Sequence, residues 1–144
     1  MIEKIGVHPA SLRPLSPRVW VTGQLTPGQV PALAEAGFGC LVNHRPDDEE
    51  PGQPTAADLA RAATEAGLKA VHAPVRGLPD AAAVEATRVA LDELAPGGKA
   101  VFFCRSGMRS AAAWAMAERS TGGDPEALRR AALAAGYDLS RVPL

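Results

Sequence analysis

One thiol lies among arginines and serines in the stretch "VFFCRSGMRS", residues 101–110. A continuously apolar run ends at Cys104, and Gly107, Arg109 and Ser110 follow it. A loop between a buried strand and a helix can turn its backbone N–H groups toward one point, and the helix start adds unpaired N–H groups. Such an arrangement binds an anion, and the planar guanidinium of Arg109 would match two of its oxygens. The spacing therefore predicts an oxyanion site with Cys104 as nucleophile.

The residues around this cysteine form the rest of the predicted catalytic site. An electropositive loop favours the thiolate, which can attack the central atom or the leaving group of a bound oxyanion. Ser110 is expected to donate a hydrogen bond to the sulfur. The other loop residues are predicted to contact substrate: Arg105, Ser106, Gly107 and Met108. The alternatives are a solvated role for Arg105 and a buried structural role for the cysteine.

The positions of this loop and its neighbours follow from an alternation of strand and helix patterns. Short apolar runs predict strands over 18–23, 39–45, 68–75 and 99–104. Capping residues, glycine stops and helical periodicity predict helices over 26–37, 55–67, 80–94, 110–119 and 124–139. Residues 1–17 read as an extended lead-in, and the whole chain, 1–144, as a single domain. The fold class is therefore α/β, with a mostly parallel central sheet of four to five strands and helices on both faces.

In such a fold, ligands bind beyond the carboxyl ends of the strands. Arg45 and Arg76 follow two of the predicted strands and are candidate anion-binding residues. Arg45 can alternatively brace its own loop by pairing with Asp47 or Glu50. His72, inside a predicted strand, is expected to be a hydrogen-bonded structural residue rather than a catalytic base.

Composition and charge exclude several classes of function. The formal net charge is -1, and no apolar stretch is long enough to cross a membrane, so neither nucleic acid nor membrane is an expected partner. The three histidines and two cysteines have no metal-ligand spacing, so we predict no metal and no cofactor. Without a signal-peptide pattern, the expected location is cytoplasmic. Cys40 opens a strand and Cys104 closes another, which places them too far apart for a disulfide.

Longer segments carry a resemblance to a known family. The segments "VTGQLTPGQVPALAEAGFGCLVNHRPDDEE", "AGLKAVHAPV", "CRSGMRS" and "AAGYDL" resemble the phosphatase-like domain of β-lactamase-hydrolase-like proteins over residues 18–139. This resemblance implies a protein-tyrosine-phosphatase-like fold. Members of the family have been classed as phosphatases and as sulfurtransferases, and some are fused to persulfide dioxygenases. It therefore implies a persulfide dioxygenase as a possible partner.

The number of residues between Cys104 and Arg109 determines which of these two activities we expect. Tyrosine phosphatases have Cys-x5-Arg, whereas this chain has the Cys-x4-Arg spacing found in rhodanese sulfurtransferases. In the phosphatases an Asp general acid follows the strand corresponding to 68–75. Here Asp80 is the only nearby carboxylate, and it is at least as well placed to cap a helix. We therefore expect a sulfurtransferase that moves sulfur from thiosulfate or a persulfide to a thiol acceptor through a Cys104 persulfide; the alternative is a slow phosphatase that forms a phosphocysteine.

Overall fold

A computed structural model describes residues 12–144 of the chain. Five strands form one sheet: β1 (Arg13–Pro14), β2 (Val19–Thr22), β3 (Phe38–Asn43), β4 (Lys69–His72) and β5 (Lys99–Phe103). The helices are α1 (Val30–Glu35, after a 3-10 turn at Pro27–Gln29), α2 (Ala56–Ala66), α3 (Ala81–Asp92), α4 (Met108–Ser120) and α5 (Pro125–Ala134). The strand order is β1-β2-β5-β3-β4, and all pairs are parallel except β1 with β2. The expected α/β architecture is confirmed.

The sheet separates two apolar layers because side chains alternate along its central strands. On one face, Phe102 packs in the core formed with α3, α4 and α5. On the other, Val101 and Phe103 pack in the core formed with α1 and α2. Helices therefore cover both faces of β5, as the continuously apolar sequence of this strand predicts.

Several element bounds differ from those predicted. Part of the lead-in forms β1, in which Arg13 pairs with Val21, whereas residues 1–11 of the predicted lead-in lie outside the described residues. The first helix is shorter than 26–37 and starts with a 3-10 turn. Helix α4 starts two residues earlier than predicted, because Gly107 ends the loop in a left-handed conformation with φ 100°.

The carboxyl ends of the four parallel strands are level. Phe103 is in register with Thr22 on one side and Asn43 on the other, and Asn43 is in register with His72. The residues that follow these positions therefore meet at one edge of the sheet. No helix among residues 12–144 is both long and apolar enough to cross a lipid bilayer.

Candidate active site at the carboxyl edge of the sheet

Cys104 begins the segment 104–110, which comprises the connection from β5 to α4 and the first residues of α4; we call this segment the cysteine loop. Its side chain is fully buried, and its Sγ accepts a hydrogen bond from Gly107 N–H at 3.1 Å. Gly107 has φ 100°, and a Cβ there would lie 2.2 Å from the Tyr137 hydroxyl. Both the backbone angle and the close approach require glycine at this position.

The first turn of α4 leaves its N–H groups without a side-chain cap. The N-cap residue is Gly107, which has no side chain to offer. By contrast, Thr55, Asp80 and Asp124 cap α2, α3 and α5 with side-chain oxygens. The start of α4 therefore offers backbone donors and the positive end of its dipole to an anion beside Cys104.

The outer side of the cysteine loop is bound by two neighbouring segments. Arg105 O accepts a hydrogen bond from Gln24 N–H at 3.2 Å, and Ser106 O accepts one from the Tyr137 hydroxyl at 3.3 Å. In a trans peptide, the N–H points away from the carbonyl of the same unit. These two bonds therefore turn the following N–H groups inward, as the bond from Gly107 N–H to the sulfur requires.

Arg109 is held by a carboxylate that the sequence did not single out. Its Nη1 and Nη2 donate to the two carboxylate oxygens of Glu49, each at 2.8 Å, and Nη1 also donates to Val75 O at 2.8 Å. A guanidinium has five N–H donors in a fixed plane. These contacts use three, which leaves Nε–H and one Nη2 hydrogen together on one edge, and the side chain also interacts with Cys104. That free edge matches two oxygens of an oxyanion.

The charges of this pair are strongly coupled. Hydrogen bonds from Arg109, opposed by burial and assisted by Arg45, lower the pKa of Glu49 from 4.5 to about 2. Glu49 in turn raises the pKa of Arg109, and the nearby Cys104 adds to that effect. Glu49 is thus a fixed negative charge at neutral pH.

Arg45 braces the loop that carries Glu49. Its guanidinium is 1% exposed and donates to Glu49, Glu50 and Gln24 at 2.9–3.0 Å. The expected pairing with Glu50 is therefore present. The expected pairing with Asp47 is not, since that carboxylate accepts from Ala56 N–H instead. A direct role for Arg45 in anion binding stays a prediction.

Ser110 is hydrogen-bonded to a buried histidine. Its hydroxyl lies 2.8 Å from His44 Nδ1, and His44 Nε2 lies 2.9 Å from the Thr87 hydroxyl. All three side chains are fully buried. Burial lowers the pKa of His44 to about 3, and the charges of His72 and Arg109 act in the same direction. The direction of the Ser110 bond depends on the tautomer of His44, so the expected hydrogen bond from Ser110 to the sulfur stays a prediction.

The other candidates occupy different positions. Arg105, Ser106 and Arg76 are exposed, and Met108 is partly buried, so their contacts with substrate stay predictions. Asp80 Oδ1 accepts from Ala83 N–H at 2.9 Å, so Asp80 caps α3, which is the alternative that the sequence offered to a role as general acid. His72 Nε2 donates to Arg45 O at 2.8 Å, in agreement with a structural role. Within residues 12–144, no cluster of three or more His, Cys, Asp or Glu side chains is arranged to hold a metal ion.

Glu49 and Tyr137 are among the residues of the site that were not singled out from the sequence. Glu49 is one of four consecutive acidic residues, and nothing in "PDDEE" distinguishes the one that reaches Arg109. Tyr137 follows Gly136 after the last helix, and its contact with Ser106 joins positions that are far apart in the chain. The segment "AAGYDL" was a signal of family resemblance, without a role for its tyrosine.

Solved structures of other proteins share the fold of this chain. A candidate phosphatase of Neisseria meningitidis superposes with a TM-score of 0.76 and 26% identity, covering 91% of this chain and 92% of that one. Tk-PTP in its active form has a TM-score of 0.71 and 19% identity, covering 92% and 90% of the two chains.

A curated relative shares part of the sequence. The β-lactamase hydrolase-like protein of Agrobacterium fabrum is 38% identical over 63 residues, which are 44% of this chain and 15% of that longer protein. Residues 11–121 match the family described as the phosphatase-like domain of β-lactamase hydrolase-like proteins. The match spans most of the chain, and with it the cysteine loop and the residues that hold Arg109. The chain is therefore a member of the family of phosphatase-like domains of β-lactamase hydrolase-like proteins.

Proposed function

We propose that this protein is a cysteine-dependent phosphatase for aryl phosphate monoesters. The observation that carries the proposal is the free edge of Arg109 beside a fully buried Cys104 thiol. Family membership and the phosphatase-like neighbours support the phosphatase reading over the sulfurtransferase that loop length alone favoured.

The first chemical step is attack of the Cys104 thiolate on phosphorus. The S–P bond forms while the bond from phosphorus to the aryl oxygen breaks, and the electron pair leaves with the aryloxide. The inward N–H groups of the cysteine loop and the free edge of Arg109 hold the equatorial oxygens and stabilise their growing charge. In the second step water attacks phosphorus, the S–P bond breaks, and its electron pair returns to sulfur. Water releases its proton to solvent, and inorganic phosphate leaves.

The nature of the leaving group follows from the carboxylates around the site. Glu49 is ionised and hydrogen-bonded to Arg109, and Asp80 caps α3. Neither is available to protonate a departing oxygen in this arrangement. Substrates that leave as a stable anion, such as p-nitrophenyl phosphate and phosphotyrosine, are therefore expected to react faster than alkyl phosphates such as phosphoserine.

A second candidate is the sulfur transfer expected from the sequence. It is favoured by the four-residue gap between Cys104 and Arg109 and by the capping role of Asp80, because attack on a sulfane sulfur needs no general acid. Cys104 would then carry a persulfide to a thiol acceptor. A small thiosulfate or persulfide donor, and the persulfide dioxygenase partner, belong to this candidate.

One experiment separates the two activities. Purified protein is mixed with p-nitrophenyl phosphate for turnover, and in parallel with thiosulfate for intact mass. Aryl phosphate turnover that disappears in Cys104→Ser but persists in Cys40→Ala supports the phosphatase. A stable gain of one sulfur atom on Cys104, without phosphate release, would replace it by the sulfurtransferase.

A further inference from the structure

A chain of hydrogen bonds runs beneath the cysteine loop from α3 to α4. Thr87 donates its hydroxyl hydrogen to Ala83 O at 2.8 Å. His44 lies between Thr87 and Ser110, at 2.9 Å and 2.8 Å from their hydroxyl oxygens. The backbone N–H of His44 donates to Phe103 O at 2.8 Å, so the histidine is attached to β5, the strand that precedes Cys104.

The positions of the protons in this chain follow from the number of hydrogens available. Thr87 has one hydroxyl hydrogen, and Ala83 O receives it, so the Thr87 oxygen must accept from His44 Nε2–H. A neutral imidazole with a hydrogen on Nε2 has only a lone pair on Nδ1. Nδ1 must therefore accept from Ser110, whose single hydroxyl hydrogen is then used.

From this network we propose that His44 is a positioning residue that keeps the Ser110 hydroxyl from donating to Cys104. The phosphocysteine intermediate therefore breaks down more slowly. This inference rests on the proposed phosphatase function and adds to it the control of the second step. The sulfur retains Gly107 N–H as a donor at 3.1 Å, but it lacks a hydroxyl donor.

The second step is the one affected. When water attacks the phosphocysteine, the S–P bond breaks and the electron pair collects on sulfur. A hydroxyl that donates to sulfur stabilises this developing thiolate. Without that donor the thiolate is a poorer leaving group, so the intermediate accumulates and its breakdown limits turnover.

Thr87→Val is the variant that reverses the arrangement with little change in side-chain volume. It removes the acceptor of His44 Nε2–H, so the neutral ring gains a hydrogen bond by placing its hydrogen on Nδ1 and donating to Ser110 Oγ. The Ser110 hydrogen is then free to reach the sulfur. Thr87→Ser keeps the hydroxyl and is the matched control.

Rapid mixing with p-nitrophenyl phosphate measures both steps, since p-nitrophenol appears in a burst followed by a slower steady rate. We expect wild type and Thr87→Ser to break down the phosphocysteine at rates within about twofold of each other. Thr87→Val is expected to break it down about tenfold faster, the size of a hydrogen bond to a charged group. Thr87→Val combined with Ser110→Ala is expected to return to the wild-type rate.

Two results would overturn the inference. A roughly tenfold slower breakdown in Ser110→Ala alone would mean that the hydroxyl already donates to sulfur in the wild type. A double variant that stays as fast as Thr87→Val would mean that the gain does not come through Ser110.

A spectroscopic measurement decides the inference independently of activity, even if Thr87→Val does not fold. Nitrogen-15 NMR of the wild-type protein at neutral pH is expected to show His44 protonated on Nε2 and unprotonated on Nδ1. A hydrogen on Nδ1 would refute the proposed network. If no phosphocysteine forms in the wild type, the proposed function fails, and this tautomer alone decides whether the network is as inferred.

Discussion

Replacing Glu49 by Gln tests how the site holds its arginine. The change removes the negative charge that binds Arg109 through two hydrogen bonds and Arg45 through one. Glutamine has a single acceptor oxygen, so it cannot bind both Nη groups of Arg109. We expect kcat/KM for p-nitrophenyl phosphate to fall about tenfold, which corresponds to about 1.4 kcal/mol of lost transition-state stabilisation.

The stability effect follows from the lowered pKa of Glu49. A fall from 4.5 to about 2 corresponds to roughly 3 kcal/mol of interaction favouring the carboxylate. The side chain is 26% exposed, so screening by solvent reduces the expected loss to about 1–2 kcal/mol in the free energy of unfolding at pH 7. Because the folded-state pKa is below the unfolded one, this contribution is present above pH 4.5 and disappears as the pH falls toward 2.

Urea unfolding at several pH values and steady-state kinetics at pH 7 check both effects. Glu50→Gln is the matched control, since the Glu50 carboxylate pairs with Arg45 rather than with Arg109 and is 48% exposed; it is expected to change kcat/KM by less than about twofold. The reasoning is refuted if Glu49→Gln is as active as Glu50→Gln. It is also refuted if the difference in unfolding free energy from the wild type stays constant from pH 7 to pH 2.

Three further predictions concern the cysteines, the loop glycine and the helix cap. Cys104→Ser is expected to abolish aryl phosphate turnover, whereas Cys40→Ala keeps it, because burial raises the pKa of Cys40 to about 11 and holds this core thiol uncharged; activity lost in both would contradict the assignment. Gly107→Ala places a Cβ 2.2 Å from the Tyr137 hydroxyl at φ 100°, so thermal denaturation is expected to show a loss of about 2–3 kcal/mol, partly restored by Tyr137→Ala. Asp80→Asn is expected to keep kcat within about twofold and Asp80→Ala to cost about 1 kcal/mol of stability; a large fall in kcat for Asp80→Asn would identify Asp80 as the general acid.

Local patterns in the sequence were enough to predict the sheet, the helices and the position of Cys104 at the end of a strand. The apolar run before Cys104 and the Gly107–Arg109 spacing determine a strand, a loop and a helix start within ten residues. Capping by Thr55 and Asp124 was readable for the same reason, since a cap depends on neighbours three residues away.

Contacts between distant parts of the chain were not readable in this way. No pattern near Ser110 indicated its contact with His44, which lies 66 positions earlier in the chain. The partner of Arg109 was missed because Glu49 approaches it from a loop 60 positions away. Loop length favoured sulfur chemistry, whereas family membership and fold favour the phosphatase alternative. The spacing of residues within one motif does not predict which residues from distant parts of the chain contact that motif.

The anchors of the cysteine loop have a consequence for how the protein matures. Gln24 and Tyr137 bind the two outer carbonyls of the loop, and they come from opposite ends of the described chain. During synthesis Tyr137 is the last of these anchors to leave the ribosome, so both anchors can hold the loop only after residues 24–137 have been made. A phosphate ion that binds the finished loop and not the unfolded chain would then stabilise the whole native state by mass action. Protection from heat by phosphate therefore reports folding of the segments that carry both anchors as well as occupancy of the site.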